Sequence, residues 1–105
     1  MKAWELKKAI KIWGFPSNTK FEGYVVHLPE TDEFLAKHNS DSDGDLWGWT
    51  PIPDYAIKYK KLKDAQSVID AYDKTKAVIG RLLDVGPQHI VVLPEQMEEL
   101  RAEIH

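Results

Sequence analysis

The run His89-Ile-Val-Val-Leu93 constrains the fold more than any other part of the chain. Ile90, Val91, Val92 and Leu93 leave no side for water, and Gly86-Pro87 and Pro94 bound the run. A helix this short is marginal alone, whereas a β-branched apolar stretch of this length suits a strand buried on both faces. The run therefore predicts a central strand at 89–93, which requires neighbouring strands and covering layers. Pro94 then occupies the favoured first position of a helix. Glu95, Glu98 and Glu99 sit toward its positive end, and Met97, Leu100 and Ile104 form its inner stripe.

The rest of the chain supplies those partners. Ala3 to Trp13 places Leu6, Ala9, Ile10 and Trp13 at helical spacing, with Lys2, Lys7, Lys8 and Lys11 mostly opposite, and Gly14, Pro16 and Asn18 stop it. Gly23 to Leu28 reads as a strand ending at Pro29. Glu33 to His38 reads as a second strand, because the following Asn39–Asp45 is turn chemistry with Gly44 free to take positive φ. Leu46 to Thr50 alternates and sets Trp47 and Trp49 on one face. A helix is predicted from Leu62, with the stripe Leu62, Ala65, Val68, Ile69 and Tyr72 continuing through Ile79, Leu82 and Leu83 to about residue 85. It is either one helix or two with a break near Lys74. Arg81 falls in its last turns, and Gly86 and Pro87 end it. Gly80 counts against an unbroken helix by about 1 kcal/mol. The order α-β-β-β-α-β-α gives an α+β fold: a small antiparallel or mixed sheet of about four strands with helices packed on one face. Val25, Leu35, Trp49, Leu62, Ala65, Ile69, Tyr72, Leu82, Val91 and Leu100 are the expected core.

Composition narrows the function. A chain of 105 residues, 43% hydrophobic and 30% charged, fits one globular domain over 1–105. The absence of cysteine excludes disulfides, thiol nucleophiles and cysteine-ligated zinc within it. No apolar run is long enough to span a bilayer and none resembles a secretory h-region, so a cytoplasmic location and no membrane partner are expected. A net charge of -3 gives no general attraction to nucleic acid.

The candidate chemistries reduce to few. In Asp41-Ser-Asp-Gly-Asp45 the glycine is fourth, and Ile52 stands where a calcium loop needs glutamate, so a solvated hairpin turn is the better reading. His27 and His38, with Asp32 or Glu33, are the nearest approach to a zinc or iron set. They lack helical ligand spacing, and His89 and His105 add no pattern. No serine sits in a glycine-flanked elbow, no glycine loop suits phosphate, and Glu98 and Glu99 read as a solvated face. Catalytic residues, metal and cofactor are accordingly expected to be none. The remaining feature is aromatic and basic together: Trp47, Trp49, Tyr55 and Tyr59 interleaved with Lys58, Lys60 and Lys61 form the candidate interaction surface. Such a face stacks single-stranded bases in some domains. However, alternation sends Tyr59 one way and Lys58 and Lys60 the other, so nucleic acid is the less favoured partner.

The segments YVVHL, EFLAKH, LWGWT and DYAIKYKKLKDAQSVI resemble a pattern in small uncharacterised phage and prophage proteins: a strand with Tyr24, a second strand, a strand with Trp49-Thr50, a turn with Ala56 and Tyr59, and a helix with Ala65. The resemblance covers about half the chain and implies a phage or prophage setting but no activity. The tail from Arg81 to Ile104 also resembles the C-terminal tail of some bacterial transcription regulators, without their helix-turn-helix. The expected function is a non-catalytic interaction domain binding a protein partner. Single-stranded nucleic-acid binding is the alternative, and a small enzyme with a pocket invisible in sequence is third.

Overall fold

The computed structural model describes residues 1–72 and 76–102, the side chain of Ser40 excepted. Lys74, Ile104 and His105, which the sequence reading used, lie outside the described residues. The elements are α1 (Ala3–Trp13), β1 (Lys20–Leu28), β2 (Glu33–Asp41), β3 (Gly44–Thr50), a 3-10 turn (Pro53–Tyr55), α2 (Leu62–Ala71), β4 (Val78–Asp84), β5 (His89–Val92) and α3 (Pro94–Ala102). The strands form one antiparallel sheet in the order β3-β2-β1-β4-β5. The fold is α+β with one strand more than the sequence predicts.

That extra strand corrects the expected helix over 62–85. The helix ends at Ala71, and Val78–Asp84 is a strand. The stripe Ile79-Leu82-Leu83 matches a helical face only by coincidence. β4 lies between β1 and β5, and the five residues from Ile79 to Leu83 are all buried, so both of its faces are apolar and the period-2 signal vanishes. Gly80 serves the strand: a Cβ there would lie 2.6 Å from Val91 Cγ1. Gly86, read as a helix stop, instead takes φ +103 in the β4–β5 turn, where its N–H donates to Asp84 Oδ1 at 2.9 Å. The second correction concerns His89–Leu93. The strand there, β5 (His89–Val92), is an edge strand and not an interior one, three of its four residues are half-buried, and Leu93 lies beyond it.

All three helices pack on one sheet face, as expected. Ala9 of α1 and Met97 and Leu100 of α3 meet Leu83 and Val92 there, and Ala65 of α2 meets Val26, Leu35 and Ile79. The opposite face, with Val25, Phe34 and Leu82, is capped by Ala56 from the segment after β3. The chain passes between these faces through the sheet itself. β1 and β2 share only the pairs His27↔Phe34 and Leu28↔Glu33 before they separate. Residues 57–59 fill the gap: Ile57 N–H donates to Leu35 O at 2.9 Å, and Tyr59 and Tyr24 exchange both backbone hydrogen bonds at 2.8 Å. Gly23 makes room for this wedge, since a Cβ there would come within 3.1 Å of Lys58 Cβ and Tyr59 O.

Of the expected core, Val25, Leu35, Ala65, Leu82 and Leu100 are buried, while Trp49, Ile69, Tyr72 and Val91 are half-buried. Leu62 is the exception at 45% exposed, because the first turn of α2 overhangs the sheet beside a cleft described below.

Candidate functional site

The structure distributes the aromatic and basic candidates over different surfaces. Trp47 and Trp49 stand on the helix-covered face, where Tyr72 at the end of α2 meets both rings, with centroids 4.8 and 5.1 Å away. His38, paired across the hairpin, stacks on Trp47 at 3.9 Å and 11°. The ring face that a base would use is thus taken by the protein's own imidazole. Tyr59 is held in the wedge, and burial pushes its phenol up. Tyr55, 68% exposed, belongs to the turn on the other face. Lys58 folds back so that Nζ donates to Asp54 O at 3.0 Å, and Lys60 and Lys61 are exposed before α2.

The histidines also separate. His27 is buried with Nε2 2.8 Å from Asp32 Oδ1 on the tight β1–β2 turn, and its Nδ1 has no partner among the described residues. His38 lies elsewhere, 3.7 Å from Asp45. Asp41 and Asp43 form a hairpin turn, with Asp43 N–H donating to Asp41 Oδ1 at 2.8 Å and Gly44 at φ +117. A group not foreseen from sequence is Glu22, Asp84 and His89, whose ligand-capable atoms lie within 4.8 Å of one another, with Asp54 3.2 Å from His89 Nδ1. A β-bulge between Phe21 and Gly23 brings Glu22 there. Pairing across strands that are remote in sequence hides such a group from any spacing rule.

The feature with most chemical content is the surroundings of Arg81. A cleft of about 350 Å³ opens between α2 and β4, lined by Leu62, Gln66 and Ile69 on one wall and Ala77, Val78, Ile79 and Arg81 on the other, with Pro94 at its end. This volume lies at the lower end of ligand-sized clefts, roughly 300–1,000 Å³. The lining is apolar apart from Gln66 and Arg81. Arg81 is only 9% exposed, and its Nε has no hydrogen-bond partner among the described residues. Among the described residues no carboxylate lies within ion-pair distance of it. Its guanidinium sits 5.6 Å from the Tyr24 ring centroid, a cation–π contact. Burial pushes its pKa down, and Tyr24 and the longer-range charge of Glu5 oppose that shift. Glu5 is otherwise engaged: its oxygens accept from Lys2 N–H at 2.9 Å and from Arg101 at 3.1 Å. The Met1 ammonium, which donates to the Tyr24 hydroxyl, adds a second cation; burial and Arg81 both lower its pKa. Burying an arginine to this extent, with no anion within ion-pair distance among the described residues, is unfavourable to folding.

The cleft also borders main chain that β5 leaves unpaired. β5 pairs with β4 only from Arg81 onward (Arg81↔Val92 to Asp84↔His89). Leu93 and Pro94 then leave the sheet to start α3. Among the described residues, nothing pairs with the outer edge of Val78–Gly80. Sequence reasoning missed this site because it placed Arg81 in the last turns of a helix. The available signal was a lone cation inside the apolar run Val78-Ile-Gly-Arg-Leu-Leu83.

No family model, no curated protein and no solved structure matches this chain. No helix among the described residues is long and apolar enough to cross a membrane.

Proposed function

We propose that this chain is a non-catalytic interaction domain, cytoplasmic and of phage or prophage setting, that binds a protein partner in the cleft between α2 and the open edge of β4. The observation that carries this reading is the unpaired edge at Val78–Gly80 beside an apolar cleft. A strand edge without a partner is a template for an extended segment of another chain, whose main chain supplies hydrogen bonds and whose alternate side chains fill the adjoining pocket; here the edge is half-buried at Val78 and buried at Ile79 and Gly80, so such a segment enters along the cleft and not from open solvent. Among the described lining residues the one ionisable side chain is Arg81, which stays protonated and acts as neither nucleophile nor general base. That favours binding over catalysis. Selection of a random peptide library on the immobilised chain tests the reading. Enriched peptides are expected to bind the wild type and to lose binding in Gln66→Trp, which covers the cleft from an exposed helix position. Equal binding to Gln66→Trp refutes the assignment of the cleft.

A further inference from the structure

Resting on that reading, we infer that the cleft takes the C-terminal end of an extended peptide, whose terminal carboxylate pairs with Arg81 and whose last side chains are apolar. Three features select this occupant over others. The first is charge. Arg81 is nine-tenths buried, its Nε lacks a partner among the described residues, and the described lining contains no carboxylate to neutralise it. A desolvated guanidinium binds a planar carboxylate through paired N–H donors, and it gains most where water is already excluded. The start of α3, with Pro94 in the cleft wall, adds the positive end of a helix at the same place.

The second feature is where the free edge stops. Val78–Gly80, roughly 10 Å of strand, has no pairing partner on its outer edge among the described residues; Val78 is half-buried there and Ile79 and Gly80 are buried. At Arg81 the edge is already taken by Val92 of β5. A strand added along Val78–Gly80 toward Arg81 therefore cannot run on; it must end there. A chain passing through with an internal aspartate or glutamate would collide with β5 and the start of α3. The end that meets the guanidinium is set by sign: an N-terminal ammonium is repelled, and a C-terminal carboxylate is attracted. Because β4 runs from Val78 toward Arg81, the added strand lies parallel to it.

The third feature is the opposite wall. Leu62, 45% exposed, and Ile69 face the cleft from α2, across from Ala77 and Ile79. These side chains suit aliphatic or aromatic residues near the peptide's end, and the Gln66 amide stands between them with its Nε2 donating to Asp70 at 2.9 Å. The exposed part of Leu62 lies on the cleft wall, where an apolar side chain of the peptide would cover it.

The test uses the full chain and a short random peptide library made in two forms, one ending in a free acid and one in an amide. Selection is expected to recover peptides from the acid form, with apolar final residues. For a recovered peptide, fluorescence anisotropy is expected to show affinity falling by about thirty-fold or more on amidation and in Arg81→Met, as for loss of one partner of a desolvated charge pair. Arg81→Lys, which keeps the charge but not the paired donors, is expected to bind at an intermediate level. A nitroxide at the peptide's N-terminal end should broaden the amide of Ala77 rather than that of Gln96. Undiminished binding of amides, recovery of internally acidic amides, or undiminished binding to Arg81→Met overturns the carboxylate inference. If Gln66→Trp abolishes binding in those cases, the cleft reading survives alone. If Gln66→Trp also leaves binding unchanged, both fall.

Discussion

Replacing Arg81 by methionine in the peptide-free protein removes a charge that no described carboxylate neutralises. The side chain is 9% exposed and, among the described residues, pairs with no carboxylate. Exchange of buried ionic groups for apolar ones of similar length ranges from neutral to a gain of about 1–4 kcal/mol. Against this stands the cation–π contact with Tyr24, worth about 0.5–2 kcal/mol in a desolvated setting. The unbranched thioether adapts to the space left by the guanidinium stem. The balance is a net gain of about 1 kcal/mol, which in a domain of this size raises Tm by about 4–8 °C. Thermal unfolding followed by far-UV circular dichroism near neutral pH measures it, with urea unfolding as a second determination. A Tm lowered by several degrees would show that the charge is satisfied within the fold, and would remove the physical reason for placing an anion in the cleft.

Three further outcomes are expected. Gly80→Ala puts a Cβ 2.6 Å from Val91 Cγ1 and 3.3 Å from Val25 Cγ2, and should cost about 1–3 kcal/mol in chemical denaturation, as overpacking does. Burial alone would raise the Glu5 carboxyl, but the Lys2 N–H and Arg101 outweigh it and hold the pKa below its ordinary value. A group depressed on folding stabilises fully above its unfolded pKa and loses that contribution as pH falls through the folded one. Glu5→Gln should therefore cost about 1–3 kcal/mol near neutrality, and its stability should fall less steeply than the wild type's in the acid range, which pH-dependent urea unfolding reads. Titration of the tryptophan fluorescence with mixed-sequence single-stranded DNA and RNA should be flat at moderate salt, because His38 and Tyr72 already occupy the rings of Trp47 and Trp49. Saturable quenching weakened by Lys60→Glu would favour the nucleic-acid reading instead.

What was legible in the sequence depended on how many faces each element buries. α1, β3 and α3 each have one apolar side and one wet side, and their periodicities located them within a residue or two. β4 is buried on both sides, so Ile79, Leu82 and Leu83 carried no usable period, and their accidental helical spacing joined them to α2. The same ambiguity placed His89–Leu93 at the centre. Its apolar run marks a strand, but apolar side chains on both faces, Ile90 and Val92 toward the helices and Val91 toward the opposite cluster, say nothing of whether a further strand pairs beside it. The site escaped for a related reason. Arg81 is unusual only once it is known to be in a strand, and the gap beside Val78–Gly80 exists because β5 is four residues long beside a strand of seven. Neither fact is local. The alternation through Lys58, Tyr59 and Lys60 was, by contrast, correctly local: Tyr59 points to the helices and Lys58 to the other face.

The wedge at residues 57–59 divides the sheet mechanically. On one side of it β1 and β4 are zipped along seven registered pairs. On the other, the β2–β3 hairpin is tied to β1 by two pairs and by the single bond from Ile57 to Leu35. Opening along this seam breaks few backbone bonds, but it must also expose Phe34 and Leu35 and part Trp47 and Trp49 from Tyr72, so the hairpin is held there by side-chain packing more than by the ladder. The Arg81 cleft lies beyond β1 from the seam, on the strongly zipped half. The hairpin therefore reaches the cleft only through α2 and Ile79, which its Leu35, Trp47 and Trp49 help to pack, so the seam's side-chain contacts and not its few bonds connect hairpin and site.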